Sequence, residues 1–451
     1  MSVDKTNYPP QKKTTNGCGS WSGTCTHFKP SRGLVALSVV VVIVIAATFV
    51  VWTNDFIRVR LNKNIGLENN TLSYRMWEKP PVSPIMAVYI FNYTNANEFQ
   101  KGIDKKLKVQ EVGPYVYREH AEKVNVVFNP NGTVSYQQKT SFSYVPELSA
   151  GHRPRQEYIT VPNIPLLVSM TNRKNGILRN RVTMYTGKED VQMLGVISRF
   201  NGEERLHHWS GKDCNRIDGT DGSLFPPNLV KRNSTIHVFS GEICRRFPLE
   251  YSEDIIAHGR FPALRFRAPR DVFANPDVNP ENACYCHPDT ETCPPSGIFN
   301  ASPCAFGAPV MISFPHFYLG DPSLLQTVEG LKPDPQKHYG YLDLHEELGV
   351  PLDGKSRFQL NMMVRSSSTL RQLANFKDGS ILPIAWFDVG IEGLPEEIMD
   401  LLYHVTFTTR HIQLAVQYVL LVMSIVLIYV LARSIRSRPT VTASSDVISP
   451  I

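Results

Sequence analysis

Alternation is the strongest local pattern in the chain. Phe358, Leu360, Met362 and Val364 alternate with Gln359, Asn361 and Met363, the period-two spacing of a half-buried strand. Leu264 and Phe266 alternate in the same way with Arg265 and Arg267. Segments 124–128, 133–137, 141–145, 236–239 and 310–314 read as further short strands, with Pro and Gly between them, as at 129–132 (NPNG). Helical signals are few. Asn97 is placed to cap a short helix through Phe99. Pro395 at a first helical position, followed by Glu396 and Glu397, predicts a longer one running through Leu401 and Val405. The pattern predicts one large antiparallel, mainly β domain with peripheral helices over residues 54–411.

Two stretches break the alternation. Residues 34–52 carry no charge over 19 positions, about 28 Å of helix against a hydrocarbon core of about 30 Å. Residues 412–431 are also uncharged, with Gln413 and Gln417 near one end, where polar groups are tolerated or face a partner helix. We assign transmembrane helices to 34–53 and 412–431, with polar tails at 1–33 and 432–451. A cleaved signal peptide is the rival for the first, disfavoured by the length of its apolar run and by the polar tail before it.

Both tails then lie on one side of the membrane. Arg433, Arg436 and Arg438 after the second run favour the cytosol for that side, whereas the charges around the first run are equivocal. Five glycosylation sequons add weight: Asn69, Asn92, Asn131, Asn233 and Asn300 all fall between the runs. The expected topology is multi-pass, with cytosolic termini and a luminal or extracellular centre. The formal net charge of +6 belongs to the tails: Lys5, Lys12, Lys13, Lys29 and Arg32 against Asp4, then three arginines against Asp446. The central region is formally neutral. This is juxtamembrane charge facing anionic headgroups, not a nucleic-acid surface.

Six of the eight cysteines lie between the runs, at Cys214, Cys244, Cys284, Cys286, Cys293 and Cys304. In an oxidising lumen they read as a disulfide framework. The rival is a zinc site from Cys284, Cys286, His287 and Cys293, but no second Cys-x-x-Cys pair accompanies it. Cys18 and Cys25, in the cytosolic tail, are candidates for S-acylation or free thiols.

Residues 110–119 (QEVGPYVYRE), 161–165 (VPNIP), 209–222, 225–227 (FPP), 243–245 (ICR), 262–266 (PALRF), 284–286 (CYC), 313–318 (SFPHFY), 330–333 (GLKP) and 382–386 (LPIAW) together carry a resemblance. In this order they are similar to the class B scavenger receptor family. The resemblance implies the pairs Cys214–Cys284, Cys244–Cys304 and Cys286–Cys293. It implies a barrel-like antiparallel ectodomain with an internal hydrophobic tunnel. It also implies a receptor for hydrophobic lipids, lipoproteins or polyanionic and anionic phospholipid surfaces, serving lipid uptake or transfer and endocytosis, with protein ligands conceivable. One departure stands out. Relatives carry a helical apex with a Leu-Leu-Trp-Gly-Tyr-like motif, whereas here Met170 runs straight into Thr171 and the motif is absent from the chain.

For ligand capture the expectation is a basic rim, His152, Arg153, Arg155, Arg173, Lys174, Arg179 and Arg181, holding anionic particles beside the shortened apex. A solvated loop is the bland alternative. The expected location is the plasma membrane, alternatively the endosome or lysosome. A lysosomal sorting receptor for a soluble luminal enzyme is the second functional reading, although Pro450 stands where a dileucine signal needs its first leucine. No Gly-x-Ser-x-Gly elbow, His-Glu-x-x-His pair or Gly-rich phosphate loop argues for an enzyme, and no cofactor or metal is called for. His207 and His208 beside Glu203 and Glu204 imitate a metal site, but adjacent histidines point apart. Gln413 and Gln417 are the candidates for homo-oligomer contacts.

Overall fold

The computed structural model describes residues 31–150, 158–162, 177–289, 291–305, 307–364, 374–391 and 393–437. It divides into two units, residues 56–411 and a second unit containing the two long apolar helices.

The larger unit is built on one sheet of 14 strands. They are β1 (Ile85–Tyr93), β2 (Leu107–Phe128), β3 (Thr133–Tyr144), β4 (Ile177–Tyr185), β5 (Ile197–Phe200), β6 (Thr235–Ser240), β7 (Arg245–Ala257) and β8 (Phe261–Arg267). They continue with β9 (Phe299–Asn300), β10 (Val310–Ser313), β11 (Val328–Glu329), β12 (Tyr341–Leu344), β13 (Pro351–Val364) and β14 (Ser380–Gly390). The main path runs β5-β4-β3-β2-β1-β14-β13-β12-β8-β7-β6, with β9 and β10 attached to β13 and β11 parallel to β2. Hairpins link sequential neighbours through turn residues the sequence announces. Between β2 and β3, Asn129 donates its N–H to the Thr133 carbonyl, and Gly132 takes a positive φ of 71° that a side chain would strain. Segments 133–137 and 141–145, separate in the sequence reading, are one strand.

The helices of this unit are short: α2 (Phe56–Ile65), α3 (Leu72–Glu78), α4 (Ala96–Gln100), α5 (Leu324–Thr327), α6 (Pro335–His338) and α7 (Glu396–Tyr403). Asn97 lies inside α4; Asn95 is its N-cap and makes no capping bond, because its side chain bonds Asp104 and the backbone of Lys106 and Lys108 instead. Pro395 sits at the N-cap of α7 rather than its first turn. Leu402 of α7 is buried with Phe261, Leu348 and Leu352, so the helix packs on the β7–β8 end. Between β8 and β12, Arg265 grips Asp343 with two bonds of 2.7 Å. Asp343 is 1% exposed, so the pair is a buried bidentate clamp whose loss of one partner would strand a charge.

In the second unit, α1 (Arg32–Thr53) and α8 (Thr409–Arg436, following a π-helical turn at His404–Thr408) are long and apolar enough to cross a membrane. They pack on each other through polar atoms. Thr48 Oγ1 lies 2.8 Å from Ser424 Oγ, and Gln417 donates to the Val51 carbonyl at 3.1 Å. Trp52 Nε1 donates to the Gln417 carbonyl, and its ring meets Tyr418 edge-on. Gln417 thus serves the contact between the two helices, one of the uses expected of an intramembrane amide.

Candidate functional site

Register decides which side chains share a face. Phe358 lies opposite Phe387, Phe387 opposite Val88, and Val88 opposite Tyr115. Because side chains alternate along a strand, Lys123 stands on that same face of β2, eight residues on, about 26 Å of strand. On this face Met86, Val88, Ile90, Phe358, Leu360 and Met362 surround the buried Ile384, Ala385 and Phe387. The first six keep part of their surface accessible although they lie on central strands. They form an apolar strip that the protein does not fully cover.

The opposite face of β13 is where the alternation misleads. A half-buried strand is expected to bury its apolar residues, yet Gln359 and Asn361 are 0% and 1% exposed. Ser313 of β10 is equally buried. A polar ladder explains it. Gln359 Oε1 accepts from the His316 N–H at 2.6 Å, and Gln359 Nε2 donates to Asn361 Oδ1 at 2.7 Å. Asn361 Nδ2 donates to Ser313 Oγ at 3.0 Å. His316, held there with a φ of 54°, donates Nε2–H to Glu111 (2.6 Å), which also accepts from Trp386 Nε1 (2.8 Å). Burial pushes the Glu111 carboxyl up, but these two donors bring it below the usual range. His316 Nδ1 accepts from the Lys332 N–H, and the ring stacks 4.5 Å from His338. The motifs QEVGPY, SFPHF and LPIAW therefore meet in one hydrogen-bonded cluster. It is fully engaged with itself and reads as architecture.

Lys123 is different. It is 6% exposed, its ammonium sits 5.5 Å from the Trp77 ring centroid, and among the described residues no hydrogen bond or ion pair holds it. The Trp77 indole N–H is also buried and, among the described residues, has no acceptor. The nearby carboxylate of Asp221 is taken: it accepts from the Tyr136 hydroxyl at 2.6 Å and from Ser223 N and Oγ at 2.9 and 2.5 Å. Burial lowers the Lys123 pKa, opposed by the charges of Asp221 and Glu119. Burial, then Asp221, pushes the Tyr136 phenol well above its ordinary value. Trp77, Tyr136, Tyr74 and Phe128 pack around this point as aromatic pairs 4.9–6.0 Å apart.

The cysteines join as Cys214–Cys284, Cys244–Cys304 and Cys286–Cys293. None of Cys284, Cys286 and Cys293 is free to hold zinc. Behind them Arg245 is buried inside a cage of Tyr285, Phe299, Phe247 and Phe273, 4.2–5.4 Å from each ring. Its guanidinium donates to the Val272 carbonyl and Asn282 Oδ1, and burial brings its pKa down to about 10. This arginine fastens the disulfide-linked segment to the sheet.

The remaining candidates are scattered. Arg181 is exposed on β4. His152, Arg153, Arg155, Arg173 and Lys174 lie outside the described residues, as does the Arg179 side chain, so the rim is not assembled here. Cys18 and Cys25 also lie outside them. Asn69, Asn131 and Asn233 are exposed and Asn92 is half-buried; Asn300 is 8% exposed, with its side-chain oxygen accepting from the Ser302 N–H. His207 and Glu203 face each other at 3.9 Å in solvent.

A model of the CD36 family matches residues 34–177 and 167–435. The two matches meet where Met170 runs into Thr171. Scavenger receptor class B member 1 of Bos taurus is 30% identical over 86% of this chain and 86% of its own length. Lysosome membrane protein 2 of Rattus norvegicus is 28% identical over 73% of this chain and 79% of its own length. Protein peste of Drosophila melanogaster is 28% identical over 77% and 72%. With a family match that spans nearly the whole chain, two helices able to cross a membrane and three disulfides in the large β unit, this chain is a membrane protein of the CD36 family.

Proposed function

We propose that this protein is a scavenger-receptor-like lipid receptor of the plasma membrane. It binds lipids and lipid-rich polyanionic particles and passes hydrophobic molecules through the interior of its sheet. The observation that carries the reading is the apolar strip whose β1 and β13 side chains stay partly accessible around the buried Ile384, Ala385 and Phe387 of β14, in the middle of a 14-stranded sheet. A clasp between the two ends of the sheet path supports it. The two outermost strands of the path both bond to one short segment: the Ile197 N–H donates to the Gly219 carbonyl, Thr220 N–H to the His237 carbonyl, and Phe239 N–H to the Thr220 carbonyl. We read this clasp as the seam of a barrel. Inside it each buried methylene of a ligand is worth about 0.8 kcal/mol, enough to hold a lipid without catalytic groups. Likeness to Scavenger receptor class B member 1 supports a receptor over an enzyme.

The test is uptake of a fluorescent cholesteryl ester from an anionic lipoprotein by cells displaying the full chain. Leu360→Trp, which fills the strip, is expected to cut uptake about tenfold at equal surface level. Unchanged uptake removes the interior from the pathway. The likeness to Lysosome membrane protein 2 favours one second reading, residence in the lysosomal membrane as a carrier of a soluble enzyme. Its mark is steady-state protein in lysosomes together with a luminal enzyme that is missorted when this chain is deleted.

A further inference from the structure

A buried charge needs a counter-charge, and a buried donor needs an acceptor. Arg245, at the start of β7, lacks both. It is 4% exposed, and among the described residues no carboxylate pairs with it. The four rings of its cage face the charge without neutralising it. Its two hydrogen bonds both leave from Nη2, at 2.7 Å to the Val272 carbonyl and 2.9 Å to Asn282 Oδ1, and both acceptors are neutral. Nε is buried and has no acceptor among the described residues. A cavity of about 20 Å³ opens against this guanidinium, lined also by Asn275, Tyr285, Asn300 and the Cys286–Cys293 disulfide. Asn300 spends its side-chain oxygen on the Ser302 N–H, and its amide NH₂ bonds nothing among the described residues.

We propose that Arg245 and Asn300 hold a monatomic anion, a halide, in this cavity. The sign follows from the groups: the unsatisfied atoms are donors, and they carry one full positive charge. A water would serve Nε and leave the charge uncompensated. The size follows from the volume. About 10–15 Å³ holds one water-sized sphere, so the cavity admits an ion of that order and excludes a phosphate or a lipid carboxylate. A halide there would tie the turn at Pro280–Tyr285, the short disulfide and β9 to the start of β7. The site lies outside the lipid reading and does not depend on it.

The experiment follows thermal unfolding of the full chain, disulfides intact, in nanodiscs of uncharged phospholipid. Sodium chloride replaces sodium gluconate at constant ionic strength. Tm of the wild type is expected to rise by at least about 3 °C and then saturate, as for a ligand bound only by the folded state. Sodium bromide should reproduce the rise. Asn282→Asp supplies a carboxylate where Oδ1 now lies 2.9 Å from Arg245 Nη2. It also loses the bond to the Ala274 carbonyl, so its Tm in gluconate falls. The chloride-dependent rise is the readout, and it should shrink at least threefold in this variant. A rise of wild-type size in Asn282→Asp overturns the proposal. So does a wild-type Tm indifferent to chloride, which assigns the cavity to water only. If Asn282→Asp does not fold, the halide series decides: a change that never saturates, or that bromide fails to reproduce, is a general salt effect and overturns the site.

Discussion

His338 and His345 show how single residues tie this fold to pH. Each is 3% exposed, and each accepts a backbone N–H at Nδ1, from Asp334 and Glu347 respectively. A proton on that nitrogen would break the bond and charge a buried ring. Burial brings both pKa values down to about 4. A lowered value means the unfolded chain takes up protons that the folded one refuses. Stability from these residues is complete above about pH 6.5 and is lost as pH falls toward 4. The loss is about 2 kcal/mol per histidine by pH 5. Urea midpoints of the full protein should therefore fall between pH 7 and pH 5, and His345→Asn should flatten the fall by about one proton; a pH-independent midpoint contradicts the assignment. The buried ladder makes a second residue-scale prediction. Gln359→Met strands the His316 N–H and should cost about 1–3 kcal/mol. Met362→Leu on the apolar face should cost under about 1.5 kcal/mol. Thermal unfolding of the two variants ranks the faces, and equal costs would refute the ladder's role.

At the scale of elements, the disulfides act through the lengths of chain they close. Cys244–Cys304 spans 60 residues and Cys286–Cys293 spans 7. In the chain-entropy model their removal costs about 4 and about 2.4 kcal/mol. Paired Ser substitutions compared by denaturant unfolding should keep that order, and a larger loss at 286/293 would show that the short bridge holds more than its own loop. The same scale shows what the sequence can tell and what it hides. Strands were legible because alternation in 358–364, 236–239 and 310–314 is a local property of the chain. Their faces were not, since Gln359 and Asn361 read as solvent-facing until β10 brings Ser313 against them. Lys123 was hidden for the opposite reason. Set in Arg118-Glu-His-Ala-Glu-Lys123 it looks like part of an exposed charged run, yet the fold buries it, with the Trp77 ring of α3 5.5 Å from its ammonium. Cysteine pairing came from the family resemblance, since spacing alone leaves 15 connectivities open.

At the scale of the whole β unit the decisive question is whether its sheet has free edges. An open sheet of 14 strands would present unpaired backbone groups on β5 and β6, a template for aggregation. Both strands instead spend N–H or C=O groups on Gly219 and Thr220. This segment could not be recognised in the sequence, because its string IDGTDGS reads as a loop. Gly219 is required there by space: a Cβ would come 2.9 Å from the His237 carbonyl oxygen. Thr220 supplies an N–H on one side and a carbonyl that accepts from Phe239. Thr220→Pro deletes the N–H, so the bond from this segment to His237 is lost. The expected cost is about 1–3 kcal/mol, that of the unpaired His237 carbonyl. If the seam closes a lipid-filled barrel, the variant should also release bound lipid and show faster hydrogen exchange at both β5 and β6, strands far apart in the sheet order. Exchange that speeds up on one strand alone would mean the segment is a loop resting on a single edge, and the closed interior would have to be given up.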